Sequence, residues 1–216
     1  MTQLALCHML LNLIDRWRHI SEALAKWLHW IVALCFLVAY VSVYARHWVI
    51  ADDTPASSLA LQLHVTFGLS VFVWVILRLY WKFTNPTPSL PPMPHWQVHT
   101  SHAMHWVLYF FMFAMPISGW FGFGGSTNYV LFSIPTFRET GLGQGLLNLF
   151  GTDWSNWEQG WDFFHKQISG AALLWVLILI HAGAGFYHHF VQKDSVLARM
   201  MLGKKARRLE AERSQT

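Results

Sequence analysis

The sequence predicts an all-α integral membrane protein, a four-helix bundle, from its composition and its charge-free stretches. Of the 216 residues, 54% are hydrophobic and only 12% are charged, whereas about 25% of the residues in a soluble domain carry charge. With histidine counted as uncharged, the stretches without charge are residues 27–45, 54–77, 83–137 and 167–192. Since a helix needs about 20 residues to cross a bilayer core of roughly 30 Å, they predict spans near 27–48, 59–82, 103–124 and 165–191. A soluble helical core is the alternative, and four such stretches in a short chain disfavour it.

The distribution of lysine and arginine predicts the orientation in the membrane. The N-terminal segment and the C-terminal tail are rich in basic residues, whereas the connection 125–163 holds Arg138 against several acidic residues. Cytoplasmic segments carry the excess of basic residues, so both termini are expected in the cytoplasm. The net charge of +4 then reflects topology and attraction to anionic lipid, and no nucleic-acid partner is expected.

The chain divides into three predicted parts. Residues 1–24 form an amphipathic extension, expected to lie as a helix on the membrane surface. Residues 25–202 form the membrane domain, and residues 203–216 form a basic cytoplasmic tail. Within the domain, the long loop after the third span is expected to contain a short helix around Gln144–Phe150.

Four of the 13 histidines fall at two depths of the predicted bundle. His29 begins the first span and His181 lies late in the fourth, so both are expected near the cytoplasmic face. His64 and His165 begin the second and fourth spans and are expected near the outer face. Two neutral imidazoles that face each other across a helical bundle can hold one haem iron without an open position. The two levels therefore predict two haem sites.

The residues one turn after these histidines are small, which leaves room for a flat macrocycle. They are Ala33, Gly68, Ser169 with Gly170, and Gly185. His105 is instead followed by Tyr109, which would crowd the ring, so His105 is not expected to be a ligand. Small residues also suit helix packing in membranes, and buried structural histidines or a proton relay are the alternatives. A zinc or copper site needs clustered ligands, which two levels roughly 20 Å apart do not provide.

Four stretches of the sequence resemble the bacterial cytochrome b561 family. They are "WLHW", "LQLHVTFGLSVFVWVILRLYWKFTNPTP", "HAMHWVLYFFMFAMPISGW" and "HAGAGFYHHFVQKDSVLARMM", and the resemblance covers about residues 25–202. It implies a four-helix protein of the bacterial inner membrane with two b haems, and haem ligands at the same four positions, His29, His64, His165 and His181. It also implies electron exchange with ubiquinone, and some members are similar to a superoxide:quinone oxidoreductase.

The fourth span departs from the family pattern in one respect. The family ligands on this helix are fourteen residues apart, whereas His165 and His181 are sixteen apart and position 167 is a glutamine. In a straight α-helix, fourteen residues leave the two rings about 40° apart and sixteen leave them about 160° apart. A π-type bulge inserts one residue and takes back roughly 100°. A bulge, a kink or a non-helical start is therefore expected between Phe164 and Leu173.

Four further residues are candidates for cofactor binding. Arg78 lies fourteen residues after His64, on nearly the same face and about 21 Å deeper, where it either snorkels or meets an inner haem propionate or a quinone oxygen. Lys166 is a cation available to an outer propionate. His188 and Lys193 are candidates for a quinone headgroup site, because histidine can shuttle protons at neutral pH; they could equally stabilise the helix C-terminus. No catalytic residue is assigned.

Three functions of different classes fit these features. The first is a superoxide:ubiquinone oxidoreductase that takes electrons from superoxide, or another small donor, at the periplasmic face. The second is an electron-relay cytochrome b subunit that serves a partner redox protein, and the third is a transmembrane ferric or ascorbate-linked reductase. The resemblance favours the first. The mixed charge of the outer loops, with acidic residues outnumbering Arg46, Arg138 and Lys166, does not favour steering of an anion.

Overall fold

The protein is built from long helices that run up and down the bundle. The computed structural model describes residues 2–85, 93–125, 130, 133–201 and 212, with the side chains of all of these except 2–19, 169 and 171. The first three long helices are α1 (Thr2–Trp48), α2 (Pro55–Thr84) and α3 (His95–Phe121). A 3₁₀ turn (Phe137–Glu139) and the short helix α4 (Gly141–Phe150) follow in the long loop.

The last helix of the bundle is a composite of α-helical and π-helical segments. It contains α5 (Trp154–Asp162), a first π-helix π1 (Phe163–Leu173), α6 (Leu174–Tyr187) and a second π-helix π2 (His188–Gln192). A short helix, α7 (Val196–Met200), packs back against its end. We call the end of the bundle that carries α4 and α5 the loop-side end, and the end that carries π2 and α7 the tail-side end.

Four helical segments of the described chain are long and apolar enough to cross a membrane, as predicted. They are Ile20–Trp48, Pro55–Thr84, His95–Phe121 and Leu174–Gln192. The first three agree with the predicted spans, and the fourth begins at Leu174, after π1, and not at residue 165. Large apolar side chains such as Leu37, Val73 and Leu179 are exposed on the outside of the bundle, where lipid would cover them.

The N-terminal extension is helical and continues directly into the first span, because α1 runs unbroken from Thr2 to Trp48. Its predicted position on the membrane surface stays a prediction. Apart from residue 212, the predicted basic tail lies outside the described residues. The expected loop helix around Gln144–Phe150 is confirmed by α4, which begins where the Thr140 hydroxyl accepts a hydrogen bond from the Gly143 amide at 3.0 Å.

The middle of the bundle is filled by two clusters of buried side chains. Val32, Cys35 and Val71 join α1 to α2. The other cluster joins α1, α3 and α6 and consists of Tyr40, Leu108, Phe111, Met115 and Leu174. In a bilayer this packing stabilises the bundle through van der Waals contact more than through exclusion of water. The helices are thereby held in a definite rotation, which decides where each histidine points.

The expected irregularity near His165 is confirmed, and it is a π-helix. With i to i+5 hydrogen bonds there are roughly 4.4 residues per turn, or about 82° per residue. Eight such steps from His165 to Leu173, followed by eight α-helical steps of about 100° to His181, leave the two histidines within about 20° of one face. Gly170 suits the wide turn, because a Cβ there would lie 2.6 Å from the His165 carbonyl oxygen.

Candidate functional site

The loop-side histidine pair, His64 and His165, faces across the bundle from α2 and π1. The two ring centroids are 6.0 Å apart. His64 Nδ1 lies 2.8 Å from the Ala39 carbonyl oxygen, and because a carbonyl only accepts, Nδ1 carries the proton. The Nε2 lone pair of His64 is therefore free to bind a metal, and the hydrogen bond fixes the orientation of the ring.

His165 is held in the same tautomer by a serine on α3. His165 Nδ1 lies 3.0 Å from the Ser118 hydroxyl oxygen, and that hydroxyl donates to the Met115 carbonyl at 3.0 Å. Since Ser118 has used its one proton, it accepts from His165 Nδ1 and leaves Nε2 unprotonated. Ser118 is fully buried. Nothing on the last helix indicated this partner, because it comes from a different span.

The tail-side histidine cluster consists of His29 on α1, His105 on α3 and His181 on α6. The ring centroids of His29 and His181 are 6.2 Å apart, and those of His105 and His181 are 5.3 Å apart. His105 Nδ1 donates to the Ser101 carbonyl at 2.6 Å. His105 was not expected to be a ligand, yet the structure brings it into this cluster. Its depth was predictable, because His105 lies near the start of α3, which begins at the tail-side end.

Both predicted pairs have the spacing that a haem iron requires. An iron bonded at about 2 Å to an imidazole nitrogen on each side holds the two ring centroids about 6 Å apart. The pairs His29–His181 and His64–His165 match this spacing at 6.2 and 6.0 Å. Open space also lies beside His64, because a Cβ at Gly68, one turn further along α2, would meet no atom within 4 Å. These side chains fit b-type haem.

The two histidine levels are well separated along the bundle. His64 is hydrogen-bonded to Ala39, and Ala39 lies ten residues after His29 on α1. At 1.5 Å per residue the levels are about 15 Å apart. The packed Val32–Cys35–Val71 cluster lies between them, so two redox groups at these levels would be separated by dry side chains and helix backbone.

Arg78 points into the tail-side cluster. Its Nε donates to the Tyr109 hydroxyl at 3.1 Å, and Tyr109 lies one turn after His105 on α3. Its Nη1 is buried and has no hydrogen-bond partner among the described residues. A buried unpaired donor costs about 1–3 kcal/mol, and more when charged. Arg78 therefore fits an anionic acceptor at this level, such as a haem propionate.

The other candidate cofactor-binding residues are distributed over both ends. Lys166 is 63% exposed and forms an ion pair with Asp162 at 2.5 Å, so its role toward a propionate stays a prediction. His188 Nδ1 lies 2.5 Å from an Asp194 carboxylate oxygen. Lys193 is exposed and adopts a left-handed backbone conformation with φ 56°.

A bundle of four apolar helices with two histidine pairs facing across it at separate levels is typical of membrane b-type cytochromes. The sequence profile of the prokaryotic cytochrome b561 family matches residues 21–203. The chain belongs to this family, and it is a membrane electron-transfer protein of the haem b class.

Curated proteins from several bacteria are similar over most of their length. Cytochrome b561 homolog 1 of Escherichia coli (strain K12) is 29% identical over 186 residues, which cover 83% of this chain and 95% of the relative. Probable superoxide oxidase CybB of Yersinia pestis is 25% identical over 179 residues, with coverages of 82% and 93%. Cytochrome b562 of Cereibacter sphaeroides is 23% identical over 177 residues, with coverages of 81% and 90%.

Proposed function

We propose that the chain binds two b haems, one between His29 and His181 and the other between His64 and His165. The observation that carries this proposal is the spacing of the two ring pairs, at 6.2 and 6.0 Å, which suits two imidazoles on one iron. The ligand set is closed on both sides of the metal, so it suits electron transfer rather than binding of oxygen.

We propose that the loop-side end faces the periplasm of a bacterial inner membrane and that both termini lie in the cytoplasm. The excess of lysine and arginine in the terminal segments supports this orientation. Residues 25–202 would then carry the redox function, with the basic segment 203–216 placed against the anionic cytoplasmic leaflet.

The electron donor at the loop-side end is superoxide, and the acceptor at the tail-side end is ubiquinone. Each superoxide loses one electron and becomes dioxygen, so two superoxides and two protons convert one ubiquinone into ubiquinol. When bound, the haem irons accept and pass on single electrons. The relative named as a probable superoxide oxidase, 25% identical over 82% of this chain, supports this activity.

The side chains of the chain have distinct tasks in this function. The hydrogen bonds from His64 and His165 to Ala39 and Ser118 hold each Nε2 toward the metal and make the imidazoles better ligands. Arg78 Nη1, buried without a partner among the described side chains, would bind a propionate of a haem held at the tail-side level. His188 and Lys193 face the quinone headgroup, and Lys166 assists a propionate at the loop-side end.

Rapid mixing of the oxidised, purified protein with superoxide tests the function directly. Haem reduction should follow mixing, superoxide dismutase should abolish it, and added decylubiquinone should reoxidise the haem and accumulate as quinol. Pyridine haemochrome analysis of the same preparation should give two haems per chain. The absence of haem reduction by superoxide, with two haems present, would refute the choice of donor.

A second candidate function is an electron-relay subunit that serves a partner protein. The ion pair of Lys166 with Asp162 favours this function. Because Asp162 offsets the charge of Lys166, the loop-side end attracts anionic superoxide less, and docking of a partner protein does not depend on that attraction. A membrane extract in which the protein copurifies with a redox partner that reduces its haem, while superoxide fails to do so, would select this function.

A further inference from the structure

The last helix ends in a histidine–aspartate pair that the proposed haem ligation does not use. His188 begins π2, and its Nδ1 lies 2.5 Å from Asp194 Oδ2. The chain turns back at Lys193, whose left-handed conformation lets the Asp194 amide donate to the His188 carbonyl at 3.2 Å. The side chains of His188 and Asp194 are only 15% and 20% exposed, so the pair is largely enclosed.

The hydrogen bond leaves one ring nitrogen of His188 available for chemistry. Because a carboxylate accepts, Nδ1 carries the proton and Nε2 is the second site of protonation. Nε2 makes no hydrogen bond to any residue that the structure describes. A carboxylate behind an imidazole holds its orientation and offsets the positive charge that appears when Nε2 takes up a proton.

The pair lies next to the tail-side histidine cluster. His188 is seven residues after His181, which places it on nearly the same helix face and about 10 Å closer to the tail-side end. The Asp194 carboxylate also accepts from the amide of Val196, the first residue of α7, at 2.9 Å. The other end of α7 is hydrogen-bonded to α1, because the Trp30 indole donates to the Met200 carbonyl at 2.7 Å. Trp30 directly follows His29 in the sequence.

We propose that His188 and Asp194 are the proton-delivering pair for quinone reduction, an inference that rests on the proposed function. Reduction of ubiquinone to ubiquinol consumes two electrons and two protons, and a haem held by His29 and His181 would supply the electrons one at a time. His188 Nε2 gives each proton to a quinone oxygen and recovers it from water at the tail-side end. Asp194 acts through His188 as a positioning residue. The other titratable side chains of π2, its cap and the α7 segment packed against it are His189, Lys193 and Arg199.

The competing explanation is that Asp194 only caps α7 and closes the end of the last helix. The variant Asp194→Asn separates the two roles. An asparagine oxygen can still accept from the Val196 amide, whereas the charge facing His188 is lost. His188→Gln removes the proton donor and keeps a polar side chain. His99→Gln is the matched control, since His99 is an exposed histidine in the first turns of α3 at the same end.

Single-turnover reoxidation of the reduced holoprotein measures the effect. Each variant is reduced with dithionite and mixed either with decylubiquinone, which needs protons, or with ferricyanide, which needs none. His188→Gln should slow reoxidation by decylubiquinone by about 10²-fold, a typical contribution of general acid catalysis, and Asp194→Asn should slow it less. Reoxidation by ferricyanide should stay within twofold of the unmodified protein in both variants. The Kd for decylubiquinone, measured by quenching of tryptophan fluorescence, should change far less in His188→Gln than the reoxidation rate does, and His99→Gln should change neither quantity.

Each result supports or overturns the assignment. Unchanged reoxidation by decylubiquinone in His188→Gln would overturn it, as would equal slowing with both oxidants, which would indicate a structural role. Normal rates in Asp194→Asn beside slow rates in His188→Gln would remove Asp194 from the pair. If the unmodified protein itself fails to pass electrons to decylubiquinone, the proposed function is refuted, and the assignment of His188 and Asp194 to proton delivery is refuted with it.

Discussion

Gly119 on α3 allows the helix to lie directly against the ring of His165, and Gly119→Ala should weaken the loop-side haem. A Cβ at this position would lie 2.9 Å from His165 Cε1, whereas ordinary contact begins at 3.4 Å. The ring must then move by about 0.5 Å, against the 3.0 Å hydrogen bond to Ser118. Overpacking of this kind costs about 1–3 kcal/mol, which corresponds to a roughly 5- to 150-fold loss of affinity.

The rate of haem loss to an excess of apomyoglobin in detergent measures this change. One of the two haems should leave Gly119→Ala about 5 to 150 times faster, and the other, about 15 Å away, should leave at the rate of the unmodified protein. Gly183→Ala is the control, because a Cβ there would meet no atom within 4 Å in a spanning helix. If both haems leave Gly119→Ala as slowly as they leave the unmodified protein, a Cβ at this position does not displace the ring of His165. If both haems leave equally faster, the substitution disturbs the whole bundle and not the loop-side site alone.

Three further changes test the rest of the site. His64→Ala should remove the loop-side haem and His29→Ala the tail-side haem, so the two variants should lose different components of a redox titration; loss of the same component contradicts the pairing. In Gly170→Ala the added Cβ would lie 2.6 Å from the His165 carbonyl oxygen, so π1 should be disturbed and the haem content, measured as pyridine haemochrome, should fall. An unchanged haem content would show that the wide turn tolerates a side chain. Arg78→Leu removes a positive charge from the tail-side cluster and should lower the midpoint potential of that haem, by about 60 mV for each 1.4 kcal/mol of lost stabilisation; an unchanged potential in a spectroelectrochemical titration excludes the contact with a propionate.

The π-helix explains how this chain keeps two ligand positions on one helix with an unusual spacing. Sixteen α-helical residues would turn His165 away from the bundle, and π1 takes back most of that rotation. Within π1, the Gly170 carbonyl accepts a hydrogen bond from the Tyr44 hydroxyl at 3.5 Å. That hydroxyl accepts from the Trp175 indole at 3.0 Å, so side chains of α1 and α6 support the irregular segment.

The fold class, the four spans and the two levels of His29, His64, His165 and His181 were predictable from the sequence alone. These follow from hydropathy and from position along a helix of known rise, which are properties of one segment at a time. The irregularity at His165 was also predictable, because the spacing of two residues on one helix sets the angle between them. The connection to the cytochrome b561 family rested on short motifs that carry these same histidines.

Contacts between side chains of different helices could be learned from the three-dimensional structure alone. It brought His105 into the tail-side cluster, gave Ser118 to His165 and turned Asp194 back onto His188. These contacts depend on the rotation of each helix about its axis and on the turn at Lys193. Packing among all the spans sets those rotations, and a periodic pattern in one span carries no information about the rotation of its neighbours.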